Sequence, residues 1–309
     1  MRKAEYPAAE RVLLHLSDTH LRAPGPQLFN LVDGRRHLAQ ALRTIEESGI
    51  RPDGIVFTGD LVDLGEHDAY AALREMVDPF AERLGAPVFW VMGNHDDRAA
   101  FRASLVDDGA ADRQAPIDRV DELDGLRLIT LDTSVPGAHH GELRQEQLDW
   151  LATELATPAP LGTILAMHHP PVPSVLPLAA SVELRDQRRL AAVVKGTDVR
   201  GIIAGHLHYS TFATFAGIPV SVASSTCYAQ DLTVPVGGSR PQDGARSFNL
   251  VHVYDETVVH SVVAVDAPRP LEYIAPAEAQ RRLADAGVEQ DVSGVRRVAP
   301  PTQPLPALR

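Results

Sequence analysis

Cysteine is nearly absent. Cys227 is the single one in 309 residues, so no intrachain disulfide can form and nothing in the chain asks for an oxidising compartment. A lone thiol beside Tyr228 reads as a small core residue. Long apolar runs are missing too; no stretch approaches the roughly 18 residues of a membrane span. Met1 to Glu10 is polar and lacks the apolar segment of a secretory signal, so the expected location is the cytoplasm. Positive charge is in deficit, with 29 Lys and Arg against 41 Asp and Glu and a formal net charge of −12. That balance, with no Lys/Arg-rich stripe, argues against a nucleic-acid binder. It leaves room for a small anionic substrate wherever the site itself is locally positive.

Apolar residues make up 44% of the chain, enough for a sizeable core in one large α/β domain or two small ones. Their arrangement repeats one theme five times. Val12-Leu-Leu-His-Leu16 runs into Ser17-Asp18-Thr19-His20. Gly54-Ile-Val-Phe-Thr58 runs into Gly59-Asp60. Pro87 to Met92 runs into Gly93-Asn94-His95-Asp96. Thr163-Ile-Leu-Ala-Met167 runs into His168-His169-Pro170, and Gly201-Ile-Ile-Ala204 into Gly205-His206-Leu207-His208. Short apolar runs of this kind read as buried parallel strands. Their carboxyl ends are where open α/β sheets bind ligands.

Helical periodicity appears between them, at Leu38, Ala41, Leu42 and Ile45, with Gly49 as the stop. It recurs near 67–84, where Pro79 is expected to kink the helix. It recurs again near 142–155 with Trp150 at the edge of the apolar face, near 186–195, and at 276–286, opened by Pro276. Leu126 to Leu131 reads as a further strand. Residues 107–124 read as an exposed loop with short helical pieces. Residues 214–223, 248–254 and 257–265 read as antiparallel strands on a second sheet edge. The first ten residues read as a frayed lead-in. Residues 287–309, with four prolines, read as a loosely packed tail. The expected division is a main domain over 11–270 and a C-terminal helix and Pro-rich tail over 271–309.

Asp18 and His20 are two apart, as are His206 and His208, so each pair shares a face of an extended chain. With Asp60, Asn94 and His168 they supply four imidazoles, two carboxylates and one amide oxygen. Seven donors exceed one ordinary site. If one carboxylate bridges, they suit two metal ions about 3.5–4 Å apart, as in two-metal hydrolases. A nitrogen and oxygen set without thiolate fits iron, manganese or zinc alike. Two divalent ions less two carboxylates and a hydroxide leave about one positive charge to attract an anion. Any one of the 13 histidines is by itself unremarked. The signal is the repetition at five strand ends, and His15, His37, His67, His252 and His260 fall outside it.

The series Asp-Thr-His, Gly-Asp-Leu-Val-Asp, Gly-Asn-His-Asp, His-His-Pro-Pro and Gly-His-Leu-His, spread over about residues 12–265, resembles the calcineurin-like metallophosphoesterases. The segments 163–169 and 211–233 look closer still to class III cyclic nucleotide phosphodiesterases of the mycobacterial type. The resemblance implies a four-layer α/β/β/α sandwich of two mixed sheets flanked by helices. It implies one metal, usually iron, on Asp18, His20 and His208, a second, often manganese, on Asn94, His168 and His206, and Asp60 between them. It implies in-line attack by a bridging hydroxide on a cyclic nucleotide, cAMP giving AMP, with Asn94 also touching substrate. His95 would then assist the leaving oxygen, Asp63 would orient His95, and His140 would border the substrate. A homodimer is implied as well. A phosphomonoesterase of the same fold is the competing reading. Such enzymes usually carry Arg shortly after the second Asp of the Gly-Asp motif, and here Asp63 is followed by Leu64-Gly65. A non-catalytic scaffold would be expected to have lost ligands, and all seven are present.

Overall fold

The computed structural model describes residues 2–25, 27–106, 109–266 and 270–290. Its central strands are buried on both faces, which is why their sequences are apolar without alternation. In β1 (Arg11–Leu16) Leu14 and Leu16 face helices while Leu13 faces a second sheet; in β2 (Gly54–Thr58) Ile55 and Phe57 oppose Val56 in the same way. β3 (Val88–Val91) completes a parallel trio. A second sheet holds β4 (Arg119–Leu123), β5 (Leu126–Leu131), β6 (Thr163–Met167), β7 (Val199–Ala204), β8 (Thr211–Phe215) and β9 (Ile218–Val222), in spatial order β4-β5-β6-β7-β9-β8. β10 (Ser247–Val253) and β11 (Val258–Ala264) return antiparallel to the first sheet, whose order is β11-β10-β1-β2-β3.

Helices cover the two outer faces. α1 (Gly34–Ser48) and α2 (His67–Leu84) bury Leu38, Ile45, Leu73 and Phe80 against the first sheet. After the short α3 (Arg98–Phe101), α4 (Gln145–Glu154) and α5 (Gln187–Val194) bury Leu148, Leu151, Leu190 and Val194 against the second. A third apolar cluster, including Leu13, Val56, Ile164, Ala166 and Val251, fills the space between the sheets. The result is the expected α/β/β/α sandwich of two mixed sheets. The carboxyl ends of β1, β2 and β3 meet those of β6 and β7 at one edge.

Several expectations need correcting. Residues 119–123 form an edge strand, not loop; the charged sequence Arg-Val-Asp-Glu-Leu hides it because at the sheet edge Arg119 and Glu122 stay exposed. The single run expected at 214–223 is part of a hairpin, β8 and β9. It turns at Ala216 and Gly217, both with positive φ, the geometry of a two-residue type I′ turn. α2 does not end at Pro79, which lies inside it on the solvent side. There the carbonyl freed by the missing N–H can bond water, while buried Val77, Phe80 and Leu84 hold the helix in place. Arg2–Lys3 pairs in parallel with Val288–Glu289, joining the two segments. α6 (Pro276–Asp285) begins at the expected proline and buries no residue. The rest of the expected tail, 291–309, lies outside the described residues.

Candidate metal centre

The strand ends converge because the chain lets them approach closely. A Cβ on Gly93 would sit 2.2 Å from the Asp60 amide nitrogen, and one on Gly205 would sit 1.8 Å from Ser17 Oγ. Only glycine fits at these two points, immediately before Asn94 and His206. The side chains that follow are held in costly backbone. Asp18, His20, Asp60, His206 and His208 all have positive φ, between 42° and 73°. For residues with a Cβ this region costs about 1 kcal/mol or more each, and it persists where the surroundings impose it. Five such residues at one edge mark a site built at the expense of local stability.

Two groups of donor atoms result. His20 Nε2 lies 3.1 Å from His208 Nε2 and 3.5 Å from Asp60 Oδ2, and His208 Nε2 lies 3.4 Å from Asp18 Oδ1. The donor atoms of these four residues all fall within 4.8 Å of one another. On the other side, His168 Nε2 lies 3.1 Å from Asn94 Oδ1, 3.2 Å from His206 Nδ1 and 3.3 Å from Asp60 Oδ2. The same oxygen of Asp60 therefore faces both groups.

The outward ring nitrogens fix what the inward ones are. His20 Nδ1 donates to Asp63 Oδ1 at 3.2 Å, His168 Nδ1 to the Thr58 carbonyl at 2.7 Å, His206 Nε2 to the Val182 carbonyl at 2.9 Å and His208 Nδ1 to the Tyr228 carbonyl at 3.0 Å. A neutral imidazole that donates outward presents a lone pair inward. Seven acceptors then face one another in a buried space, with two imidazole lone pairs 3.1 Å apart. Such a nest fits cations and is unfavourable without them. Protons meet part of the need. Burial pulls His168 down, but Asp60 and Asp18 outweigh it and hold the ring up at about 9. Burial likewise lowers His208, but Asp18 and its hydrogen bond outweigh it and raise the ring. Burial raises Asp60 and Asp18, yet the surrounding rings draw Asp60 well below the carboxylate range and Asp18 to about 2. His206, buried beside His168, falls to about 3 and stays neutral.

A family model for the calcineurin-like phosphoesterases matches residues 12–210. The chain belongs to that family. Its members are hydrolases with a dinuclear metal centre, and the donor set described above suits one. The chain is 59% identical over 93% of its length, and 90% of the relative's, to a cAMP/cGMP dual specificity phosphodiesterase of Mycobacterium tuberculosis. It is also 59% identical, over 93% of its length and 95% of the relative's, to a probable cyclic nucleotide phosphodiesterase of Rhodococcus erythropolis. A dimetal phosphatase from Danio rerio shares the fold, with a TM-score of 0.60 at 14% identity over 83% of this chain and 97% of that one. No helix among the described residues is long and apolar enough to cross a membrane.

Around this calcineurin-like centre the remaining candidates fall into place unevenly. His95 sits beside it, its ring 4.7 Å from that of His20. Its Nδ1 donates to the Asp63 backbone carbonyl at 3.0 Å, whereas the Asp63 carboxylate is 3.6 Å away and lies closer to His20. Asp63 thus holds His95 through its main chain and His20 through its side chain. His140 pairs with Glu142 at 3.0 Å. The histidine that reaches the centre is its neighbour His139, whose Nδ1 accepts from Asn94 Nδ2 at 3.1 Å and whose ring is 5.4 Å from that of His95. Adjacent histidines in one loop carry no sequence signal for which of them turns inward.

Asp96 was also hidden. It accepts from the amides of Gly93, Leu61 and Val62 and from the Tyr70 hydroxyl, clamping the β2 and β3 loops together. Burial and the nearby Asp60 lift it to about 7 against the pull of those donors. Cys227 is fully buried and burial holds its thiol neutral.

Proposed function

We propose that this protein is a two-metal phosphodiesterase that opens 3′,5′-cyclic nucleotides, cAMP giving AMP. The observation that carries the reading is the acceptor-only nest, with His95 beside it and free of it. Asp18, His20 and His208 would hold one ion, iron by family resemblance, and Asn94, His168 and His206 a second, manganese, with Asp60 shared. When bound, such ions supply Lewis acidity and acidify a water towards neutrality.

The chain's own residues do the rest. Asn94 fixes the substrate side of the second site, its amide orientation set by the hydrogen bond to His139. His95, tethered at Nδ1, has Nε2 available to carry a proton to the departing 3′-oxygen, a poor leaving group that needs it. Positioned acid catalysis of this kind is typically worth about 10²–10⁴ in rate. The names of the two 59%-identical relatives support a cyclic nucleotide as substrate. A diester is also favoured over a monoester because Arg22, the cation that reaches Asp63, is committed to Asp63 and Glu66 at 3.4 Å each. That leaves it little charge to offer a dianion. The resemblance extends the proposal to a homodimer.

The test is a panel of cyclic nucleotides, aryl phosphodiesters and phosphomonoesters assayed with manganese and after chelation. Chelatable turnover of cyclic nucleotides above that of monoesters is expected. Preference for monoesters would transfer the protein to the phosphomonoesterases.

A further inference from the structure

An aromatic corner beside the centre takes no part in the chemistry above. The Tyr228 ring lies 4.3 Å from that of His208 and 5.9 Å from that of His20. Phe29 meets Tyr228 at 5.2 Å and 86°, so the two rings form an L. Phe29 is 63% exposed, and the loop holds it there at a cost. Phe29 and Asn30 both have left-handed backbone, φ 53° and 54°, a region that bulky residues avoid. Leu28 and Val32 close the turn with backbone hydrogen bonds in both directions, 3.1 and 2.8 Å. Their side chains pack with Cys227 and Tyr228 beneath. The loop is anchored from below while its one aromatic ring is pushed into solvent. Beyond the edge contact with Tyr228, folding gains little from that arrangement.

We propose that Phe29 and Tyr228 seat the base of the cyclic nucleotide, a proposal that rests on the substrate reading above. The substrate has an anionic phosphodiester ring at one end and a flat aromatic base at the other. The site has a cation nest at one end and an apolar corner at the other, joined through the His208–Tyr228 ring contact. Stacking accepts any base because every base has a π face. The corner therefore predicts tolerance between adenine and guanine, and a preference for cyclic nucleotides over diesters whose alcohols carry no ring.

Phe29→Ala and Phe29→Trp, compared with wild type on cyclic AMP, cyclic GMP and the bare six-membered cyclic phosphodiester of propane-1,3-diol, test this. Base–aromatic stacking is worth about 1–3 kcal/mol, or roughly 5- to 150-fold. For a ring open on one side the low end applies. Phe29→Ala is expected to raise KM for both cyclic nucleotides about fivefold, and to lower by the same factor the ratio of their kcat/KM to that of the bare diester. Phe29→Trp restores the ratio. Its indole emission is also expected to be quenched when AMP is titrated in, a readout that needs no turnover. An unchanged ratio in Phe29→Ala, or an indole indifferent to saturating AMP, overturns the proposal. Wild-type protein that opens the bare diester but neither cyclic nucleotide sinks the substrate reading, and the seat with it.

Discussion

His95 is set apart from the seven acceptors by its surroundings. It is part-exposed, tethered at one nitrogen and aimed alongside the nest. His95→Ala is expected to keep the metal content of wild type and to slow turnover about 10²–10⁴-fold for alkyl leaving groups, with a smaller loss for aryl ones that leave unaided. Equal losses on both would remove the proton-donor role. Asn94→Ala is expected to cost the second ion. His139→Ala frees the Asn94 amide to turn and is expected to weaken metal affinity about tenfold, the lower end for groups that orient a ligand. Metal titration of both variants checks this; wild-type affinity in His139→Ala would make that contact incidental. At this scale the sequence shows donor types and spacing well, because short spacings such as Asp18/His20 need no tertiary information. It does not show which of His139 and His140 turns inward, nor that Asp63 reaches His95 through its carbonyl, because both depend on loop conformation.

Among the elements, the strand ends matter more than the strands. Their apolar runs were legible because burial on both faces leaves no polar alternation, and β2, β5 and β6 begin and end where expected. β4 was not, because at the sheet edge its exposed positions carry charge, and the β8–β9 turn was not, because Ala216 is a rare occupant of positive φ. Nor does sequence show that five donors sit in left-handed backbone, a state imposed by close approach of the loops. Gly205→Ala is therefore expected to displace the β7 end, lower Tm and lose bound metal, since the new methyl meets both Ser17 Oγ and Asp18 Oδ2. A fully loaded Gly205→Ala protein would contradict that packing. Asp96→Ala leaves three buried amides without their acceptor. At about 1–3 kcal/mol for each unsatisfied group, it is expected to cost more than about 3 kcal/mol in denaturant unfolding. A loss below about 1 kcal/mol would mean water replaces the carboxylate.

For the molecule as a whole, the space between the sheets is apolar apart from a few polar side chains, among them His15 and Asn249 on the first sheet and Ser221 on the second. Burial and the neighbouring His260 lower His15 to about 3, and burial lowers His260 to about 4. Both are neutral in the fold, while the unfolded chain takes up protons near pH 6.5. The unfolded state thus binds more protons below that pH, and stability is expected to fall as pH drops from about 6.5 towards 4. Neither ring nitrogen of His260 has a hydrogen-bond partner among the described residues. His260→Leu is therefore expected to raise Tm at neutral pH and to narrow the Tm difference between neutral and acid solution. An unchanged difference would assign the acid lability elsewhere. Net charge gives no position: a chain of −12 gathers its cation-seeking groups at one edge, and only the meeting of two sheets reveals where. The most direct measurement is the number of metal ions per chain in active protein, followed through chelation and reloading. Two ions per chain, with cyclic AMP hydrolysis lost and regained as they leave and return, is the expected result. Full hydrolysis by protein that holds none would contradict it.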